Sequence, residues 1–256
     1  MKLATWNVNS LKVRLPQVIE WLKMNQPDIL CLQETKLTDE NFPEQEIAAI
    51  GYHSVFVGQK TYNGVAIISK QKGADVLVAL PDFLDEQKRV VAATYGDMRI
   101  INVYVPNGET VESEKYSYKL KWLPALNRWV KSELKNYSKM ALLGDFNIAP
   151  EDRDVYDPEI WLGKVLCTLP ERDAFNNLLN VGLIDSFRLF EQPDKSYTWW
   201  DYRMMAFRLN RGLRIDHILL SDALASTCVK CSIDKAVRKQ ERPSDHAPLV
   251  VELSNY

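Results

Sequence analysis

The chain has 256 residues, 46% hydrophobic and 26% charged, with a formal net charge of −2. That composition suits a globular protein with a sizeable core and excludes a disordered, collagenous or polybasic chain that coats nucleic acid indiscriminately. No apolar run approaches a membrane span, and residues 1–10, MKLATWNVNS, carry Asn7 and Asn9 where a signal peptide needs an apolar stretch, so a cytoplasmic protein is expected. KLATWNV (residues 2–8) reads as a first strand. A helix over residues 15–25 follows, with Leu15, Val18, Ile19 and Leu22 at helical spacing and Pro16 in the first turn. DILCLQE (28–34) reads as a buried strand, and HSVFVG, GVAIISK, VLVAL, RVVAATY and RIINVYVP as short β runs separated by turns. A helical stretch over 115–136 comes next, with Pro124 expected to disturb it. KMALLGDF (139–146) is a further buried strand and a helix lies near 171–181. YTWWDY, RIDHILLS, TCVKCSI and HAPLVVEL complete the strand candidates. So many hairpin-like neighbours do not fit one parallel sheet, and two packed sheets with helices outside are expected. No linker, low-complexity tract or internal repeat divides residues 1–256, which read as one domain and a monomer.

Cys228 and Cys231 form a C-x-x-C, but no second such pair and no nearby histidine completes a four-ligand zinc site. A spacing of three along a strand points the two sulfurs to opposite faces, so both read as structural thiols.

Several apolar runs stop at a carboxylate or an amide. ATWN ends at Asn7, ILCLQE at Glu34, and INVY at Tyr104 with Asn107 beyond. ALLGDFN delivers Asp145 and Asn147, LRID delivers Asp216, and RPSDH delivers Asp245 and His246. Singly, such residues form turns or caps, and Asp145 with Asn147 suits an Asx-turn. Their repetition at strand ends points to one shared rim. Carboxylates packed together repel and lose solvation, so a compensating cation is expected, and oxygen ligands suit Mg²⁺ or Mn²⁺.

TWNVNSLKVR, LQETKL, YNGVAI, NVYVPNG, LLGDFNIAPEDRDVYDP, YTWWDYR, GLRIDHILLS and RPSDHAPLV occur in this order across nearly the whole chain. They resemble the signature blocks of the exonuclease III/AP-endonuclease branch of the endonuclease–exonuclease–phosphatase superfamily. The resemblance implies an α/β (α+β) fold, a four-layer sandwich of two packed mixed β-sheets flanked by helices. It implies metal-dependent hydrolysis of DNA phosphodiesters in base-excision repair: cleavage 5′ to abasic sites and 3′→5′ trimming, with 3′-phosphatase and 3′-phosphodiesterase action. Mg²⁺ is the implied cofactor, with Mn²⁺ as a substitute, and double-stranded DNA with abasic sites or damaged 3′ ends the implied partner.

The same resemblance implies roles. Glu34 is a metal ligand, and Asn7 helps hold metal or water, with Asn9 in support. Asp145 orients and deprotonates the attacking water, and Asn147 positions that water or the phosphate. Tyr104 and Asn107 lie at the phosphate, and Asp245 near the metal. His246 contacts a non-bridging phosphate oxygen, and its partner is Asp216, not the adjacent Asp245. The implied metal set is thus Asn7, Glu34, Asp145, Asn147, Asp245 and His246, and the catalytic set Tyr104, Asp145, Asn147, Asp216 and His246. A carboxylate behind the imidazole would raise its pKa and fix its tautomer.

RMMAFRLNRGLR (203–214) sets Arg203, Arg208, Arg211 and Arg214 among Met204, Met205 and Phe207. It reads as a DNA-contacting loop whose arginines track phosphates while a methionine or Phe207 wedges into the duplex. Lys60, Tyr62 and Asn63 match another DNA-contact loop, and Lys12 and Arg14 are candidates for the same surface. Trp199, Leu213 and Ile215 match the apolar pocket that accepts a flipped-out abasic sugar. Leu213 stands where some members carry tryptophan, a difference that bears on substrate preference. The alternatives are an inositol-phosphate or sphingomyelin-type phosphohydrolase of the same superfamily, which need not keep GLRID or the arginine loop, and an inactive DNA-binding scaffold, against which the intact polar set argues.

Overall fold

The computed structural model describes residues 1–254. Among them lie the strands β1 (Lys2–Asn7), β2 (Ile29–Gln33), β3 (His53–Val57), β4 (Val65–Ser69), β5 (Ala74–Leu77), β6 (Val90–Tyr95), β7 (Met98–Tyr104), β8 (Lys139–Asp145), β9 (Leu183–Asp185), β10 (Asp216–Ser221), β11 (Cys228–Ile233) and β12 (Leu249–Leu253). The helices are α1 (Leu11–Asn25), α2 (Glu44–Ala48), α3 (Glu114–Asn136), α4 (Pro158–Trp161), α5 (Leu169–Asn180) and α6 (Asp222–Ala225). The strands form two six-stranded sheets, ordered β11-β12-β1-β2-β4-β3 and β5-β6-β7-β8-β10-β9. Each is mixed: β1 pairs parallel with β2, and β7 with β8, while the other neighbours are antiparallel.

Central strands are buried on both faces, which is why they read as unbroken apolar runs. Along β1 and β2, Leu3, Ile29 and Cys31 enter the core between the sheets, whereas Ala4, Trp6, Leu30 and Leu32 pack outward under α1. In the second sheet Ile100, Ala141 and Leu143 face the inter-sheet core, and Ile101, Val103, Met140 and Leu142 pack under α3 and α5. The layers are therefore helix, sheet, sheet, helix, as the sequence implied. No helix among the described residues is long and apolar enough to cross a membrane.

Four local expectations change. The first helix starts at Leu11, because Ser10 N–H and Leu11 N–H donate to the Glu34 and Thr35 carbonyls, and that anchor carries the helix through Pro16. α3 likewise runs unbroken through Pro124, started by Ser113, whose hydroxyl accepts from Tyr116 N–H. YTWWDY is not a strand; it forms only isolated bridges, Trp199 to Leu213 and Trp199 to His246, and no ladder. In β11 a bulge between Cys228 and Lys230 shifts the register, so Cys228 and Cys231 both pack toward the inter-sheet core rather than to opposite faces. Both thiols are free.

Candidate active site

Register places the polar strand ends side by side. Asn7 pairs with Gln33, the residue before Glu34, and Asp145 is flanked by Tyr104 on one side and Asp216 on the other. β1, β2, β7 and β8 all end at this rim, and β10 begins there. The two sheets meet just beneath through a buried amide pair, with Gln33 Nε2 donating to Asn102 Oδ1 at 2.7 Å.

Asp145 is buried, and each of its oxygens accepts one hydrogen bond. Asn147 N–H donates to Oδ1 at 2.9 Å and Asn7 Nδ2 donates to Oδ2 at 2.9 Å. The strand thus stops at Asp145 and turns through an Asx-turn, with Asn147 in the left-handed region at φ 50°. Asn7 Nδ2 also donates to Glu34 Oε1 at 2.9 Å, while its own Oδ1 accepts from Asn9 N–H at 2.9 Å. Asn7 therefore holds two carboxylates together.

His246 lies between Asp145 and one further carboxylate, Asp216. Its Nδ1 is 2.8 Å from Asp216 Oδ2 and its Nε2 is 3.8 Å from Asp145 Oδ2. Burial opposes the charged imidazole, but Asp216 and Asp145 outweigh it and raise its pKa to about 10. Asp145 moves up to about 7, driven by burial and by Asp216 against the pull of His246. Adjacent Asp245 points elsewhere: Asn9 Nδ2 and Trp199 Nε1 donate to its two oxygens at 2.9 and 3.0 Å. Against the cost of burial, His246 and these donors hold it below the usual carboxylate range. The Tyr104 phenol is pushed well above its ordinary value by burial and by the charges of Glu34 and Asp145.

Oxygens of Asp145 and Asp216 and a ring nitrogen of His246 lie within 4.8 Å of one another, but a charged His246 keeps no lone pair for a metal, so its expected place in the metal set falls and the carboxylates remain. Asp216 Oδ1 is buried without a partner, so negative charge is under-compensated where a cation would relieve it. Lys36 Nζ already neutralises the outer side of Glu34, at 2.8 Å from Oε2. The cluster opens into a cleft of about 330 Å³ lined by polar Glu34, Tyr104, Asn107, Glu109, Asp145, Asn147, Asp245 and His246 together with apolar Trp161, Val165, Leu166, Trp199 and Ile215.

The model of the Endonuclease/Exonuclease/phosphatase family matches residues 4–246. The chain belongs to this family. An exodeoxyribonuclease III of Haemophilus influenzae is 38% identical, covering 99% of this chain and 100% of its own. The structure of a 3′ phosphatase, NExo, from Neisseria, in a singly substituted form bound to product DNA hairpin, superposes with a TM-score of 0.97 at 50% identity, over 99% of both chains. An AP endonuclease from Archaeoglobus fulgidus gives a TM-score of 0.95 at 40% identity, again over 99% of both chains.

Around this family's cleft the remaining expected residues divide. Asn107 lines it and donates from Nδ2 to Asn147 Oδ1 at 2.9 Å. Trp199 and Ile215 line the apolar wall, whereas Leu213 is fully buried behind it and does not reach the cleft. Trp200 belongs to the core. Lys12, Lys60, Tyr62, Arg203, Arg208 and Arg211 are exposed. Arg14 is committed to the protein, donating to the carbonyls of Asn9, Arg242 and Pro243. Asn63 is buried in its own loop, donating to Gln59 and Gln87. Arg214 cannot track a phosphate: it is fully buried, bonded to Asp154 and Asp185. Phe207 cannot be a wedge, since it packs edge-on against Trp200 at 5.1 Å; Met204 and Met205, 79% and 62% exposed, are the apolar tips of that loop.

Sequence reading missed the groups that brace the family's cleft from behind. Thr198 Oγ1 accepts from the N–H groups of Ile215 and Asp216. Ser244 Oγ donates to the Asn7 carbonyl at 2.6 Å and accepts from His246 N–H at 3.2 Å. Lys119 and Glu171 form a fully buried ion pair. Lys119 carried one legible signal: it falls at helical spacing on the apolar stripe of Tyr116, Trp122, Leu123 and Leu126.

Proposed function

We propose that this chain, a nuclease of the DNA-repair branch of its family, hydrolyses phosphodiester bonds of duplex DNA with Mg²⁺, incising 5′ to abasic sites and trimming or unblocking 3′ ends. The observation that carries the reading is the placement of His246 between Asp216 and Asp145 at the floor of a cleft walled by amides and apolar side chains. Asp145, fixed by Asn7 and Asn147, suits a general base that aligns water and takes its proton. His246, charged and preorganised by Asp216, suits stabilisation of charge that develops on a phosphate oxygen. Asn107, Asn147 and Tyr104 supply further polar contacts to the same group.

Glu34 and Asp145, with Asp245 and the amides of Asn7 and Asn147 beside them, are the residues that would hold Mg²⁺ or Mn²⁺, and their hard oxygen donors, with the unpartnered Asp216 Oδ1 close to Asp145, fit such an ion. When bound, that ion supplies Lewis-acid stabilisation of the leaving oxygen. The apolar wall of Trp161, Val165, Leu166, Trp199 and Ile215 suits a sugar that has lost its base, which is cheap to extrude from the duplex. The exposed Lys12, Lys60, Arg203, Arg208 and Arg211 suit phosphate contacts, and relatives named for DNA repair and DNA hydrolysis support DNA over a lipid headgroup.

A duplex carrying one abasic-site analogue, 5′-labelled on the damaged strand, tests the proposal. With Mg²⁺ but not with EDTA, a product ending immediately 5′ of the analogue is expected, together with shortening from free 3′ ends. Shortening alone would remove the abasic-site part of the reading, and no product with either Mg²⁺ or Mn²⁺ would remove the whole.

A further inference from the structure

We propose that Lys119, paired with Glu171, is a positioning residue that locks three separate loops of the cleft into one geometry, an inference that rests on the nuclease reading for its kinetic arm. Neither side chain touches the cleft. The Lys119 ammonium donates to Glu171 Oε1 at 2.5 Å, to the Asn147 carbonyl at 2.6 Å and to the Asn107 carbonyl at 3.1 Å. It thereby holds the backbones of both amides that face the phosphate side. Glu171 holds the segment that carries the lining residues Val165 and Leu166: its Oε1 accepts from Leu166 N–H at 3.0 Å, and its Oε2 accepts from Thr168 N–H at 3.1 Å and Thr168 Oγ1 at 2.7 Å. One ion pair thus spans the loop after β7, the loop after β8 and the loop before α5.

Gly108 is packed against the same node. A Cβ there would lie 3.2 Å from Val165, 3.3 Å from Tyr116 and 3.5 Å from Lys119 Cδ, so a larger residue would press on the node.

A buried ion pair is a poor way to gain stability, since apolar residues of similar volume do as well or better in its place. Its value lies in direction. An ammonium with three donors, satisfied by the loop after β7, the loop after β8 and Glu171 of α5, which in turn holds Leu166, fixes distances between Asn107, Asn147 and Leu166 that apolar packing leaves free. Displacing a positioned group by about an ångström costs about 10²-fold in rate.

The test measures steady-state kinetics with Mg²⁺ on a 3′-labelled duplex, and amide hydrogen exchange, for wild type, Lys119→Met, Lys119→Arg and Glu171→Gln. Lys119→Met is expected to lower kcat about 10²-fold with little change in KM. Exchange at Leu166 and Thr168 should accelerate while β8 stays protected, and Lys119→Arg should recover most of the kcat. Glu171→Gln, which keeps the shape and loses the charge, should move both readouts in the same direction and serves where Lys119→Met fails to fold. Unchanged kcat in a folded Lys119→Met or Glu171→Gln, or exchange that accelerates equally in β8, would overturn the proposal by reducing the pair to a stability element. If wild type cleaves no DNA, the functional reading fails by itself, and protected exchange at Leu166 and Thr168 in Glu171→Gln would still overturn the positioning role.

Discussion

Two histidines in this chain are held in opposite protonation states, and the difference lies in what each nitrogen meets. His246 hydrogen-bonds Asp216 through Nδ1 at 2.8 Å, and its Nε2 lies 3.8 Å from Asp145, so two carboxylates favour the charged ring. His246→Gln keeps a donor for Asp216 and removes the charge; kcat should fall by about 10²–10³ with the fold retained, and near-normal turnover in a cleavage assay would remove His246 from the mechanism. His217, the next residue after Asp216, points the other way. Its Nδ1 meets the Arg214 guanidinium at 3.1 Å, which can only donate, so Nε2 carries the proton and donates to the Ile148 carbonyl at 2.9 Å. Burial and Arg214 together lower its pKa to about 4. The unfolded chain protonates this histidine near its ordinary value of 6.5. Its contribution to stability is therefore complete above that pH and is lost as pH falls toward 4, a change of about 3 kcal/mol at most. Denaturant melts of wild type and His217→Gln from about pH 7 to 4 should converge toward the acid end; a constant difference across that range would contradict the assignment. Neither state was legible from composition. The pairing of His246 with Asp216 followed from the family's blocks, whereas that of His217 with Arg214 depends on a strand neighbour and a buried network with no local signature.

At the scale of elements, what the sequence revealed was burial, and what it concealed was anchoring. Strands covered on both faces read as apolar runs, and where those runs broke at Asn7, Glu34, Tyr104 and Asp145 the sheets do end on one rim. The start of α1 was missed because it hangs on carbonyls after β2, and the loop around Trp199 read as a strand because its apolar residues fill two cores without joining a ladder. The bulge that turns Cys228 and Cys231 to one face leaves no trace in residue spacing. Gly144, immediately before Asp145, shows how tightly β7 and β8 are matched: at φ 147°, a Cβ would lie 1.9 Å from the Val103 carbonyl oxygen. Gly144→Ala should therefore cost about 2–3 kcal/mol in thermal or chemical unfolding and displace Asp145 with the strand. Native stability with native activity would show that the pair can part without cost.

Over the whole molecule, charge is nearly balanced, at −2. Affinity for a polyanion must then come from local patches, of which the exposed Arg203, Arg208 and Arg211 beside Met204 and Met205 are the clearest. Replacing all three with serine should raise KM for duplex DNA, leave kcat close to wild type and flatten the log–log salt dependence of binding by about 2–3. An unchanged salt slope would place the DNA on another face. The outer surface was the least legible part of the site: of the basic and polar residues expected there, Asn63 and Arg214 are buried and half-exposed Arg14 is spent on the protein's own carbonyls, because a cation looks the same in sequence whether it meets solvent or a carbonyl.

The most direct test of the central claim is single-turnover cleavage of an abasic-site duplex by wild type and Asp145→Asn, each with Mg²⁺ and with EDTA. Metal-dependent cleavage by wild type, lost by at least about 10²-fold in a folded Asp145→Asn, is the predicted result. Equal cleavage by both proteins, or none by folded wild type with Mg²⁺ or Mn²⁺, would contradict it.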